Sequence, residues 1–496
     1  MSVCRGNEAH AVDSANSPSH NKQKPLKLLM QFEDTQAFYV RFNWISTNPT
    51  LCAMAATLAS LRAEQVTKQR QNKRDFASAF NVILSEMEVN NAYEAGWRVY
   101  IPLNNNLYSG KTRRNPTYTS EIKDAFLWLK DAKYLRKVEG IKTARGSKAD
   151  KTRFLPFAYV LTNKWRKEIA EKPMSSRGEI RRNPLSAYVQ VRRDEGKGKT
   201  KRKVAIPLTP DVIGYDKTLI TETTDLLRRY DELMSRTVIT IGRTPYQSGL
   251  TSMTRIFSQG SFNEGGRYYS QIQNLRSETR PYIYLNGEPT IEIDYSSFHP
   301  ALLYATINKP IPDGDAYVIE GFSRDEVKTA FNVMLNRTGK ASNAYESVME
   351  YVCDDEERAK RLVTAILMKH DAIRDSFNTG AGLRLQRKDS DIVTKLLTYF
   401  VDNNIPIITV HDSAIVPLRH VQTLKMLMAE VYFEVVETGY FATSLRADGL
   451  TFSKALTDAI ALSMADGHVS PKQWDALLDS EPIQVTSSYL VSIEDD

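Results

Sequence analysis

The sequence predicts an α+β fold: an antiparallel sheet bearing acidic residues in the second part of the chain, preceded by a basic, mostly helical domain. Three observations predict it. The run IEIDY alternates apolar and polar residues up to Asp294, as a half-buried strand does, and brings a carboxylate to the strand's open end. Downstream, IPIITVHDSAIVP reads as an apolar hairpin with His411 and Asp412 at its tip. Charge is divided along the chain: residues 1–203 carry 38 Lys and Arg against 19 Asp and Glu, a net of +19, and the remainder carries 28 against 40, a net of −12.

Size and composition bound the answer. A chain of 496 residues with 42% hydrophobic content supports two or three domains with real cores. Three cysteines, Cys4, Cys52 and Cys353, build neither a disulfide framework nor a zinc cluster, so a reducing, cytoplasmic setting is expected. The first 25 residues lack the apolar core of a secretion signal, and no apolar run reaches membrane-spanning length. The basic front half predicts a polyanion partner, and the acidic back half predicts carboxylate chemistry.

Residues 1–24, polar and rich in Ser, Asn and His, read as a disordered tail. Residues 25–203 form the basic accessory domain. Apolar spacings of three and four predict helix across 50–95, and Thr119 or Ser120 starts an amphipathic helix running to Gly140. Helices followed by basic strand-like segments suggest a winged-helix unit over 77–170. The basic stretch RRDEGKGKTKRKV is a hairpin tip or linker, and Lys199, Lys201, Arg202 and Lys203 are placed to lie on phosphates. The second domain spans 205–496. Its Gly- and Arg-rich opening offers Arg255, Arg267, Arg276 and Arg280 to phosphates and Tyr268 and Tyr269 to bases. Two helices, KALTDAIALSMA and PKQWDALLD, are expected near the end.

The chemistry concentrates in the second domain. Two strand-borne carboxylates, Asp294 and Asp412, suit two Mg2+ ions, with Mn2+ as a substitute. Between them, Ser323 and Glu326 form a capping box for a helix on which Arg324 and Lys328 lie one turn apart. A forked Arg and a point-charge Lys suit different oxygens of a triphosphate. Asn332 and Asn336 follow on the same face, and Tyr295 and His299 sit beside Asp294. Gln386, Asp389 and Asp391 precede or begin a further helix.

Strand-Asp, basic helix, strand-Asp resembles the right-hand palm and fingers of family A DNA polymerases and of single-subunit phage and mitochondrial RNA polymerases. Asp294-Tyr295-Ser296 is similar to the family's first catalytic motif, and His411-Asp412-Ser413 to its third. Arg324-x-x-x-Lys328 resembles the start of the fingers helix, and LQRKDSDIVTKLL the helix before the third motif. The likeness covers about 255–435. The family carries Phe or Met and then Tyr where this chain has Asn332 and Asn336, and the Lys-x-x-x-Asn spelling is closer to family B. Ser413 is the RNA-polymerase-like spelling, whereas bulk at His299 argues for deoxynucleotides.

The resemblance implies a palm with an antiparallel sheet, template-directed nucleotidyl transfer by two metal ions, and nucleoside triphosphates with a nucleic-acid primer and template as partners. It implies a triphosphate site at Arg324 and Lys328, a sugar contact at His299, and nucleic-acid contacts at Gln386 and His411. A DNA polymerase of a phage or mobile element, working as a monomer or with an accessory protein, is the favoured expectation. A single-subunit RNA polymerase is the alternative, and a non-catalytic replication initiator a further one.

Overall fold

The structure, a computed structural model, describes residues 37–39, 42–65, 75–89, 98–101, 117, 119–139, 142–143, 153–154, 157–170, 179–196, 202–242, 244–246, 251–275, 277, 279–312, 314–352, 355–436 and 445–447. Strands β1 (Ala37–Tyr39) and β2 (Trp44–Ser46) lead into helix α1 (Pro49–Ala63). Asn48 caps α1 by accepting from the Leu51 amide, and a proline takes the first helical position, where its missing N–H costs nothing. Helix α2 (Phe76–Val89), strand β3 (Arg98–Tyr100) and helix α3 (Ser120–Asp131) follow. Thr119, rather than Ser120, caps α3.

Helix α3 stops at Asp131 and not at Gly140. Lys133 takes a left-handed φ of 67°, and strand β4 (Leu135–Glu139) begins. Its sequence LRKVE has too little alternation to separate a strand from a helix tail. Strands β5 (Lys142–Thr143), β6 (Arg153–Phe154) and β7 (Phe157–Leu161) complete this part, with a helical turn at 163–170. Strand order β1-β3-β7-β4 makes a four-stranded sheet. The front region is therefore mixed helix and sheet among the described residues, not mostly helical. Its core gathers Leu51, Phe80, Phe126, Leu129 and Trp165, all essentially sealed from solvent.

Strand β8 (Ile180–Arg182) returns to pair with β2. The hairpin of β9 (Val189–Glu195) and β10 (Arg202–Ile206) then crosses the boundary expected at 203–205. It joins a second four-stranded sheet, β10-β9-β13-β14, through parallel pairing of β9 with β13. Helix α4 (Lys217–Arg236), strands β11 (Ile239–Ile241) and β12 (Thr244–Tyr246), and the hairpin β13 (Thr254–Phe257) and β14 (Gly265–Tyr269) come next. Residues 1–24, the C-terminal helices expected beyond 450, and Lys199, Lys201 and Arg276 lie outside the described residues.

The third sheet has seven strands, all antiparallel. Strands β15 (Ile283–Leu285) and β16 (Glu288–Tyr295) precede helix α5 (Phe298–Thr306). Helices α6 (Arg324–Asn336), α7 (Ala344–Tyr351), α8 (Glu356–Lys369) and α9 (Ala381–Asp402) lead to strands β17 (Ile408–Val410) and β18 (Ser413–Pro417). Helix α10 (Val421–Val436) and strand β19 (Leu445–Ala447) close the described chain. The path is β12-β11-β15-β16-β18-β17, with β19 also on β16. Helix α9 starts at Ala381, so Gln386, Asp389 and Asp391 all lie within it rather than at its start. No helix among the described residues is long and apolar enough to cross a membrane.

Candidate active site

Strand register brings the two carboxylates together. Ile293 of β16 pairs with Ala414 of β18, so the next rung sets Asp294 beside Ser413, and Asp412 occupies the tight turn before it. His411 completes that turn with a left-handed φ of 59°. Asp294 and Asp412 line one cleft of roughly 550 Å³.

Helix α6 supplies the facing wall. The capping box forms as its sequence requires: Ser323 Oγ accepts from the Glu326 amide, and Glu326 accepts from the Ser323 amide. With the helix start fixed, Arg324, Lys328, Asn332 and Asn336 fall at successive four-residue steps, and all four line the cleft. Arg324 Nε donates to Asp315 Oδ2 at 2.7 Å and its guanidinium lies 5.4 Å from the Tyr317 ring centroid. Lys328 is exposed and has no ion-pair partner among the described residues. Asn336 lies hard against α9, where position 382 is glycine. A Cβ there would overlap Asn336 Oδ1.

Asp294 is electrostatically strained. Burial raises its carboxyl first, and repulsion from Asp412 and Glu292 adds to it against a partial offset from Lys328, so the group is pushed up to about 8. Its Oδ1 atom is buried with no hydrogen-bond partner. An orphaned carboxylate oxygen beside a second carboxylate fits a hard divalent cation such as Mg2+. No group of three or more His, Cys, Asp or Glu among the described residues is arranged to hold a metal. Mg2+ commonly takes only one or two carboxylates and fills its other positions with water and substrate phosphates, so a two-carboxylate set remains compatible.

The cleft also collects His299, Arg267 and Gln386. Other expected contacts are committed elsewhere. Tyr295 reaches the cleft, but its ring is buried, stacked on Phe298 at 4.3 Å, and its hydroxyl donates to Met428 O at 2.6 Å. It has no side chain to offer a nucleotide. Arg255 is 2% exposed and donates to Gly266 O, Ser390 Oγ and Asp391 Oδ1, so it braces β13 against α9 and cannot reach a phosphate. Tyr268 is buried and its hydroxyl meets Thr394 Oγ1 at 2.7 Å, so it cannot stack on a base. Its neighbour Tyr269 is exposed, edge-on to His411 with ring centroids 6.4 Å apart. Arg280 donates to both oxygens of Glu292, at 2.7 and 3.1 Å, which ties it to the seven-stranded sheet instead of to nucleic acid. Lys203 is exposed on β10, and Arg202 is described only through its backbone.

Glu292 and Tyr317, in and around the cleft, were not singled out by sequence. Glu292 lies two positions before Asp294 on the same face of β16; the alternation in IEIDY carried that signal. Ser413 Oγ sits 2.5 Å from Glu292 Oε1, so the serine after Asp412 is used internally. Tyr317 supports Arg324, and Asp389 sits wholly buried beneath Arg267 and His299.

No family model and no curated protein matches this chain. Among solved structures, the chain is similar to the POL domain of Pol1 from M. smegmatis in complex with DNA primer-template and dNTP, at 14% identity and a TM-score of 0.27. The match covers 55% of this chain and 57% of that one, so this chain spans little more than half of its length. At that TM-score the likeness carries no argument about fold or function.

Proposed function

We propose that this chain is a template-directed nucleotidyltransferase, and specifically a DNA polymerase that extends a primer 3′-hydroxyl with dNTPs. One observation carries the reading. Two carboxylates, one at the end of β16 and one in the β17–β18 turn, and an Arg/Lys stripe from a separate helix line the same cleft. That pairing suits a substrate that is both metal-bound and polyanionic.

Asp294 and Asp412 would hold Mg2+, or Mn2+ in its place; when bound, the metal supplies charge neutralisation at the phosphates and acidifies the attacking hydroxyl. Lys328 neutralises the triphosphate, and Arg324, steadied by Asp315 and Tyr317, directs its remaining N–H groups at phosphate oxygens. His299 fills the space beside the sugar, where a 2′-hydroxyl would lose its water partners. Gln386 and Arg267 reach the primer-template side, and His411 with exposed Tyr269 flanks the primer terminus. Base pairing carries sequence, so the core needs few base contacts. The basic front region, including a winged-helix unit at 77–170, holds the backbone.

Primer extension with dNTPs and with rNTPs, on DNA and RNA templates, tests the reading. Mg2+-dependent extension that favours dNTPs supports it. A preference for rNTPs moves the assignment to a single-subunit RNA polymerase, which Asn336 in the cleft favours by offering a 2′-hydroxyl a hydrogen bond. DNA binding with no incorporation of either sugar replaces it with the initiator reading.

A further inference from the structure

Asp389 is fully buried on α9, one turn from the cleft-lining Gln386, and is not itself a cleft residue. It carries a fork. Arg267 Nε donates to Asp389 Oδ2 at 2.9 Å and lies 3.2 Å from Oδ1, and Arg267 Nη2 donates to Oδ2 as well. His299 Nε2 lies 3.2 Å from Arg267 Nη2 and 3.5 Å from Asp389 Oδ2. Arginine nitrogens only donate, so the Arg267–His299 contact is a hydrogen bond where Nε2 accepts. A buried carboxylate is costly unless paired, which makes this contact obligatory for Arg267. The obligation passes to His299, whose ring is pinned by the Arg267 fork. Arg267 arrives from β14 and His299 from α5, and both face the cleft.

We propose that Asp389 is a positioning residue for sugar discrimination: through Arg267 it holds the His299 ring where it crowds the 2′ position of the incoming nucleotide. The proposal rests on the polymerase reading above. Asp389→Asn keeps the volume but gives the fork a neutral partner. Arg267 is then free to turn toward phosphate, and the imidazole is free to rotate away from the sugar. Arg267→Lys removes the fork by another route while leaving the Asp389 charge paired.

The test is kcat/KM for dATP and ATP in the full chain, for the parent, Asp389→Asn, Arg267→Lys, His299→Gly and the Asp389→Asn/His299→Gly double variant, with thermal melts confirming folded protein. The expected result is a fall of about tenfold in the dATP:ATP ratio in each single variant. Asp389→Asn should add nothing further in the His299→Gly background, because it acts through that ring. A purely structural role would lower both nucleotides alike. A folded Asp389→Asn with an unmoved ratio, or an additive loss in the double variant, overturns the proposal while leaving nucleotidyl transfer standing. If Asp389→Asn does not fold, an unmoved ratio in Arg267→Lys overturns it. A parent that prefers ATP overturns it and leaves nucleotidyl transfer intact. A parent that incorporates neither nucleotide overturns it together with the polymerase reading.

Discussion

Asp294 is where the folded chain resists a charge. Burial, Asp412 and Glu292 all disfavour its ionised form, so the folded state keeps a proton that the unfolded chain releases near the ordinary aspartate value of about 3.9. Between that value and about 8 the folded state binds more protons, and stability falls as pH rises. Without divalent ions, the melting temperature contributed by this site should therefore decline from pH 5 to pH 8. Added Mg2+ should recover it most at the alkaline end, where the carboxylate is free to bind. Asp294→Asn should flatten both responses, and scanning calorimetry across pH with and without Mg2+ reads them. A parent melting curve that rises over this window and ignores Mg2+ would contradict the assignment. Lys328, the cation that offsets Asp294, should matter to the triphosphate more than to DNA. Lys328→Ala is expected to lower single-turnover incorporation at least about tenfold with little change in template affinity. Rates measured across nucleotide concentration check this.

At the scale of elements, the α6 stripe depends on where that helix begins. Losing the Ser323 hydroxyl in Ser323→Ala should cost about 1 kcal/mol in chemical denaturation, because the Glu326 amide is left without its cap. Gly382→Ala should change stability by no more than about 1 kcal/mol, because the new methyl meets only the end of the exposed Asn336 side chain, which turns aside, and alanine favours the helix. Incorporation should suffer instead, since Asn336 lines the cleft. These elements were legible in the sequence to different degrees. The strand to Asp294, the hairpin tip at Asp412 and the capping box at Ser323 each carry a local pattern, and the structure has each of them. The fates of Arg255, Tyr268, Arg280 and Tyr295 were not legible. Local pattern says which neighbours face opposite ways, but only packing against α9, α10 and, for Arg280, β16 decides which side is inside. Asp389 shows the reverse case: a charged residue in a helix reads as surface until β14 is seen to bring Arg267 over it.

For the whole molecule, the sequence-drawn boundary at 203–205 follows charge, while the backbone follows strand pairing. The β9–β10 hairpin belongs to the sheet of β13 and β14, so cutting at residue 203 would strip strands from that sheet. Nucleic-acid affinity is therefore measured on the full chain. The net of +19 over residues 1–203 predicts non-specific DNA binding that weakens by a factor on the order of 10³ between 50 and 200 mM salt. A salt-independent constant in a fluorescence titration would leave that charge as solvated surface. The proposed active cleft is the larger claim, because it joins residues that lie far apart in the chain. Its most direct test is single-nucleotide incorporation on a primed DNA template in Mg2+, comparing the parent with Asp294→Asn and Asp412→Asn. The account predicts that each substitution lowers the rate at least about a hundredfold while DNA affinity stays within about twofold. Incorporation that persists in either variant, or a parent that adds no nucleotide, would contradict it.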